Sequence, residues 1–318
     1  MFVSSDIFFY LGFLIVFYYF MKCLKFLFHL LFWRGPNLKS RYFDLNSWAV
    51  ITGASDGIGK EFAIKLASLG FNIVLMARNK DKTSRVAQEI RDLYPSISVD
   101  CIICDFCQCG SDNFSKHIIS ELQKYQDIAI LINNVGTGLN GFFMDSPLEE
   151  LRDLINVNCM SITIMTKLLI PRFLIRPKHS LIINLSSFTR VNPLPLVSIY
   201  GASKAFDDYF SRVLDLEFSP KLDIISFSPL FVSTLMIGFR QNLGAISTKE
   251  AVEGVLNEIG YGNHTYGHWK HQILGNILGV LLSFQGVVKW GLRQEWLQKK
   301  LKKEFSKIKL IEKAQKQN

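Results

Sequence analysis

Along this chain the apolar residues change rhythm once, and decisively. Residues 7–21, IFFYLGFLIVFYYFM, carry no charge at all. From Trp48 onward the apolar positions fall into short, β-branched runs: WAVIT (48–52), NIVLMA (72–77), VDCIIC (99–104), IAILI (128–132), LIINL (181–185) and DIISFS (223–228). Most are continuously apolar, as strands buried on both faces must be. Stretches with helical spacing separate them, and such alternation predicts an α/β fold, a doubly wound parallel sheet. Tyr266-Gly267 reads as the start of a further strand. Ser146, Pro147 and Glu149 predict a capping box with proline in the first helical turn. Ser247 and Glu250 predict a second box, ahead of a helix whose apolar face is Val252, Val255, Leu256 and Ile259.

The two ends follow different rules. The fifteen uncharged residues fall short of the ~20 needed to cross a bilayer core. Extension to Phe32, with Lys22 and Lys25 snorkelling, makes the span long enough. A cleaved signal peptide would put its cations before the apolar run. Here Asp6 precedes it, and Lys22, Lys25, Arg34, Lys39 and Arg41 follow. An uncleaved anchor is expected, with the following domain in the cytosol by the positive-inside rule. Near the other end, QILGNILGVLLSFQGVV (272–288) contains Gly275-x-x-x-Gly279, a spacing that permits close helix packing in lipid. Asn276, Gln285 and its shortness argue against a crossing. The expectation is a helix that dips into the cytosolic leaflet or lines an entrance for an apolar substrate. From Trp296, Leu297, Leu301, Phe305 and Ile308 recur at helical spacing among lysines, a basic amphipathic helix suited to anionic lipid. Three regions result: an anchor and linker (1–44), an α/β domain (45–268), and an apolar helix with a basic tail (269–318).

Composition supports that division. Hydrophobic residues make up 49% of the chain and the formal net charge is +9. Residues 1–45 carry five Lys/Arg against two Asp, and residues 289–318 carry ten against three acids, which leaves the body near neutral at −1. A nucleic-acid binder would concentrate its basic charge on the folded domain, so none is expected as partner; the charged ends suit a membrane. Four of six cysteines form Cys101-x2-Cys104-x2-Cys107-x-Cys109. No histidine or second cysteine pair completes a metal set, so no metal is expected and reduced thiols are the reading. The sequons at Asn113, Asn184 and Asn263 would matter only in a lumenal domain.

Candidate chemistry sits at three places. The first strand runs into Thr52-Gly53-Ala54-Ser55-Asp56-Gly57-Ile58-Gly59 and then a helix, where glycines let backbone amides approach a pyrophosphate at the helix N-terminus. The second strand ends at Arg78. An acid there would suit ribose hydroxyls, whereas arginine suits a 2′-phosphate, so NADPH is the expected cofactor. Asp105, closing the third strand, is placed to accept from an adenine amine. Farther on, Tyr200 and Lys204 form Tyr-x-x-x-Lys with Ser187 thirteen residues upstream. Four residues apart on a helix share a face at roughly 6 Å. A fixed ammonium beside a phenol favours phenolate, which suits proton exchange with an alcohol or ketone.

Together TGASDGIG, CDF, NNVG (Asn133, Asn134, Val135, Gly136), the Asn158 of INVNCM, Ser187 and YGASK resemble the short-chain dehydrogenase/reductase family over about residues 46–236. The resemblance implies a Rossmann sheet of about seven strands and an NADPH-dependent oxidoreductase. Ser187, Tyr200 and Lys204 would be catalytic, and Asn158 would hold a water of the proton relay. Cofactor contacts would come from Gly53, Ser55, Asp56, Gly57, Ile58, Gly59, Arg78, Asp105, Asn133, Asn134, Val135, Gly136, Tyr200, Lys204, Pro229, Val232 and Thr234. Leu230 departs from the family's Pro-Gly at this point. NNVG, the anchor and the PLPL segment (193–196) are similar to the membrane-bound branch, which contains 3-oxoacyl-CoA reductases of very-long-chain fatty acid elongation and 17β-hydroxysteroid dehydrogenases. That resemblance implies an endoplasmic reticulum membrane protein reducing a lipid-like ketone, with 3-oxoacyl-CoA ahead of a 17-ketosteroid. A homodimer or elongation partners would accompany it. Arg190 and Lys178 are the candidate cations for CoA phosphates. A catalytically idle membrane scaffold is the alternative from another class.

Overall fold

The computed structural model describes residues 3–191, 193–234 and 244–283, with Lys299 and Lys303. The basic tail with Leu297, Leu301, Phe305 and Ile308, and residues 284–288 of the apolar stretch, lie outside the described residues.

Seven parallel strands form one sheet in the order β3-β2-β1-β4-β5-β6-β7. They are β1 (Trp48–Thr52), β2 (Asn72–Ala77), β3 (Val99–Ile103), β4 (Ile128–Asn133), β5 (Ser180–Leu185), β6 (Leu222–Phe227) and β7 (His264–Thr265). Six of them coincide with the apolar runs to within one residue at each end. The seventh comes two residues earlier than Tyr266-Gly267, because Gly267 at φ +80° turns the chain out of the strand.

Period-two alternation sends successive side chains to opposite faces. Ala49, Ile51, Ile73 and Leu75 enter one core, with Phe62, Leu66, Val252 and Val255. These come from helices α3 (Gly57–Ser68) and α9 (Thr248–Glu258). Val50, Val74, Met76 and Leu131 enter the other core, with Phe114, Ile118, Met165 and Phe173. These come from α5 (Asp112–Leu122) and α7 (Ser161–Ile175). Both faces are therefore covered, which explains the unbroken apolar runs.

Helix α9 carries the predicted capping box: Ser247 Oγ accepts from Glu250 N at 3.2 Å, and Glu250 Oε2 accepts from Ser247 N at 2.8 Å. The box predicted at Ser146 does not form. Pro147 disfavours helical backbone at the residue before it and is itself extended, so α6 (Leu148–Ile155) starts one residue later without a side-chain cap. Ser146 Oγ donates to Phe142 O instead.

Helix α1 (Val3–Phe32) includes Ile7–Phe32, long and apolar enough to cross a membrane, with none of its most apolar window buried. Leu148–Ile175 has similar length and apolarity, but half of that window is buried within the domain. The last turn of α1 docks on the end of α9. The His29 ring stacks on Tyr261 at 3.6 Å between centroids, and its Nε2 stands 2.8 Å from Glu258 Oε2. Trp33 Nε1 donates to Asn257 O at 3.1 Å. Gln272, on α10 (Trp269–Ser283), donates to the same Glu258 oxygen at 3.0 Å and to Thr265 Oγ1 at 2.6 Å.

Burial pushes the Glu258 carboxyl up to about 7, with Thr265 opposing. A carboxyl raised by folding holds its proton where the unfolded chain releases it, so its contribution to stability falls as pH climbs from the ordinary 4.5 toward 7. Thermal unfolding at pH 5 and pH 8 should therefore show the wild type losing a few degrees more than Glu258→Gln between the two conditions. Equal losses would contradict the assignment.

Candidate active site

A crevice of about 640 Å³ opens at the carboxyl ends of the strands. It lies where the strand order reverses between β1 and β4, the position where doubly wound sheets bind ligands. One wall is the turn from β1 into α3. Gly53 and Gly57 have φ of +65° and +57°, a region that L side chains rarely adopt. A Cβ on Gly53 would stand 2.8 Å from Val135 Cα. Asp56 caps α3 by accepting from Gly57 N at 2.7 Å. Ser55, Asp56, Gly57 and Ile58 line the crevice here, while Arg78 and Asp105 line it at the ends of β2 and β3. Asp105 also accepts from Cys107 N at 3.1 Å.

The loop after β4 is stitched to this turn by groups that the sequence did not advertise. Thr52 Oγ1 accepts from the amides of Asn134 and Val135, each at 3.0 Å. Asn134 Nδ2 returns to Thr52 O and Gly53 O. Thr52 opens the glycine-turn motif without an assigned role of its own; its place at the end of β1, facing a neighbouring loop, was the available signal.

The other wall is α8 (Ser198–Phe218) with the end of β5. Ser187, Tyr200 and Lys204 all line the crevice. The Lys204 ammonium donates to Leu185 O at 2.7 Å and to Asp207 Oδ2 at 2.9 Å. Burial works against this ammonium, but Asp207, with Tyr200 and Cys159, outweighs it and holds the lysine above its ordinary value. Burial lifts the Asp207 carboxyl, with Lys204 opposing. The short contact and the second acceptor at Leu185 O favour the ionised pair. Asp207 escaped the sequence reading, although an acid three residues after the lysine was legible as a same-face pair. Ser186 and Ser187 both line the crevice, but Ser186 Oγ donates to Lys204 O at 2.6 Å and so serves the helix.

Three expected cofactor or relay residues stand elsewhere. Asn133 points into the core, where its Nδ2 donates to Asn184 Oδ1 at 2.8 Å and to Thr166 Oγ1 at 3.1 Å. Gly59 serves packing, since a Cβ there would stand 2.4 Å from Asn134 Nδ2. Asn158 sits behind the crevice wall on a single π turn between α6 and α7 (Asn156–Met160). Its Oδ1 accepts from Thr137 N at 2.9 Å, and its Nδ2 donates to Thr137 O and Ser203 Oγ. Asn134, Val135, Gly136, Pro229, Val232 and Thr234 do line the crevice. So does Leu230, whose amide donates to His271 Nδ1 at 3.3 Å and ties this rim to α10.

Neither candidate cation for CoA is free. Arg190 is half-buried, donating to Asp208 Oδ2 at 2.9 Å and Ser228 Oγ at 2.8 Å, with its remaining nitrogen against His264. Burial first, then Arg190, pushes His264 down to about 3, so the imidazole is neutral beside the guanidinium. Lys178, just ahead of β5, donates to Phe43 O at 2.6 Å at the amino end of the sheet, opposite the crevice.

A glycine-rich turn at the strand switch and a facing helix that presents a tyrosine and a lysine define a dinucleotide-dependent oxidoreductase fold. The chain belongs to the short chain dehydrogenase family, whose pattern it matches over residues 47–242. Among curated proteins it is similar to very-long-chain 3-oxoacyl-CoA reductase-A of Danio rerio, 37% identical over 261 residues that cover 80% of each chain. It is also 35% identical to hydroxysteroid dehydrogenase-like protein 1 of Gallus gallus, over 71% of this chain and 69% of that one. Among solved structures it is similar to a short-chain dehydrogenase from Sphingobium yanoikuyae in complex with NADPH. There the TM-score is 0.62 at 29% identity, covering 67% of this chain and 84% of that one.

Arg190→Ala should cost roughly 3 kcal/mol in urea unfolding, because it strips a partner from the buried Asp208 carboxylate. The KM for a CoA thioester should move little. A large KM effect without loss of stability would restore Arg190 as a substrate contact.

Proposed function

We propose that this protein is a membrane-anchored, NADPH-dependent ketone reductase acting on 3-oxoacyl-CoA. One observation carries the reading: Ser187, Tyr200 and Lys204 line the same crevice as the glycine turn and Arg78. The cradle suits a dinucleotide, since the glycine turn at Gly53 and Gly57 lines the crevice with backbone at the start of a helix, and Arg78 supplies a cation where a 2′-phosphate would lie. Reduced nicotinamide, when bound, supplies the hydride. Tyr200 gives the proton to the carbonyl oxygen, Ser187 orients that oxygen, and Lys204 supports the phenol and the cofactor ribose. Asn158 steadies a water of the relay through the Gly136–Thr137 backbone. Orientation of the reactants in one crevice supplies much of the rate.

The substrate assignment is supported by relatives such as the Danio rerio reductase, similar over most of its length. The resemblance to a hydroxysteroid dehydrogenase-like protein favours a 17-ketosteroid as the second reading. In this reading residues 1–44 anchor the protein in the endoplasmic reticulum membrane, residues 45–268 reduce the ketone in the cytosol, and residues 269–318 lie at the bilayer surface. Elongation partners or a second copy would meet it there.

NADPH oxidation by the purified chain should occur with a 3-oxoacyl-CoA and not with a 17-ketosteroid; the reverse pattern favours the second reading, and turnover of neither ends both. Tyr200→Phe should lower kcat by about 10²–10⁴-fold with NADPH affinity nearly unchanged. Full activity in that variant would remove its assigned role. Arg78→Asp should weaken NADPH roughly ten- to a hundredfold more than NADH, and equal losses would remove the cofactor assignment.

A further inference from the structure

The Lys204 ammonium has three N–H donors. One is spent on Leu185 O and one on Asp207 Oδ2. Lys204 is 4% exposed and Asp207 2%, so water screens this pair little. Asp207 Oδ1 is buried without a hydrogen-bond partner. A carboxylate held there is costly, while an apolar residue in its place would strand the Lys204 ammonium, so the buried charge pair as a whole calls for a reason other than packing.

That reason follows from what surrounds it. On α8 the adjacent Asp208 is engaged by Arg190 at 2.9 Å and Arg212 at 3.2 Å. From the π turn, the Cys159 thiol is pushed up to about 11 by burial, then by Asp207, with Lys204 opposing, so it is uncharged at neutral pH. Arg190 and the neutral His264 face Asp208, while Glu150 and Asp153 line the crevice. Among the described residues, Asp207 is the carboxylate in contact with Lys204. A lone ammonium one helical turn from Tyr200 would favour phenolate strongly, yet reduction needs the phenol to arrive carrying its proton. An adjacent negative charge offsets part of that field.

We propose that Asp207 is a positioning residue for the reductase chemistry: it fixes Lys204 and offsets its charge, keeping Tyr200 in its proton-donating form up to higher pH. The role in turnover rests on the ketone-reductase reading, whereas the effect on the Tyr200 proton does not.

The full chain in detergent, as wild type, Asp207→Asn and Asp207→Glu, provides the test. In Asp207→Asn the fall of kcat/KM for ketone reduction at alkaline pH should begin roughly one pH unit lower, and Asp207→Glu should restore most of the range. A uniform loss at every pH, with the limb unmoved, would overturn the proposal. The second readout needs no substrate: tyrosinate absorbance is titrated in each variant against its Tyr200→Phe counterpart. The Tyr200 component should ionise at lower pH in Asp207→Asn, and an unmoved titration would overturn the proposal. Should Asp207→Asn fail to fold, Asp207→Ser carries the same titration without a carboxylate, and an unmoved component there is again fatal. A shifted titration without turnover of any ketone would leave the effect of Asp207 on the Tyr200 proton standing and remove the reductase reading.

Discussion

A buried ammonium must find acceptors, and the one on Lys204 finds them on two elements at once. Leu185 O belongs to the end of β5 and Asp207 to the next turn of α8. Leaving either acceptor unmatched would strand charge in the interior at a cost of several kcal/mol. The constraint therefore fixes α8 against the sheet at the height of the crevice. Ser186, the residue after β5, reinforces it through Lys204 O. With α8 pinned there, Tyr200 and Ser187 have one place to go, which is the carboxyl-terminal rim. The opposite wall obeys a similar rule. Thr52 and Asn134 exchange four bonds with each other's backbone and that of Val135 and Gly53. Those bonds hold the glycine turn at a fixed distance from the loop that faces it.

Much of the fold was legible because burial on both faces forces short, unbroken apolar strands. The helix pair at Tyr200 and Lys204 was legible for the same reason that helices are: spacing alone decides which residues share a face. What failed were judgements that depend on partners distant in sequence. Arg190 looks like a loop cation until Asp208 and His264 are brought beside it, and Lys178 until Phe43 O arrives from 135 residues away. Asn133 is different. Strand periodicity already separates it from Asn134, since neighbours at a strand end point to opposite sides; one enters the core and the other grips the glycine turn. The missed box at Ser146 shows local chemistry overruled locally, by the backbone preference that proline imposes.

Helix α1 and the crevice are mechanically linked, and the link runs through α10. At its first turns Gln272 shares the Glu258 carboxylate with His29 of α1. One residue earlier, His271 accepts from the Leu230 amide on the crevice rim and meets Gly244 O with its other nitrogen. Leu230 stands where the family's glycine would leave that amide more freely placed. A bulky residue here lines the crevice with an apolar side chain while its backbone is tied to α10. On the outer side of α10, Ile277, Val280 and Leu281 are exposed. If α1 crosses a bilayer, its last turn lies at the membrane surface, and α10 must start within a side chain's reach of it. The rim that receives a substrate is then held near lipid by bonded contacts. A long acyl chain could in that arrangement remain partly in the bilayer while its carbonyl enters the crevice, and its hydrophobic transfer cost, about 0.8 kcal/mol for each methylene taken into water, would not be incurred.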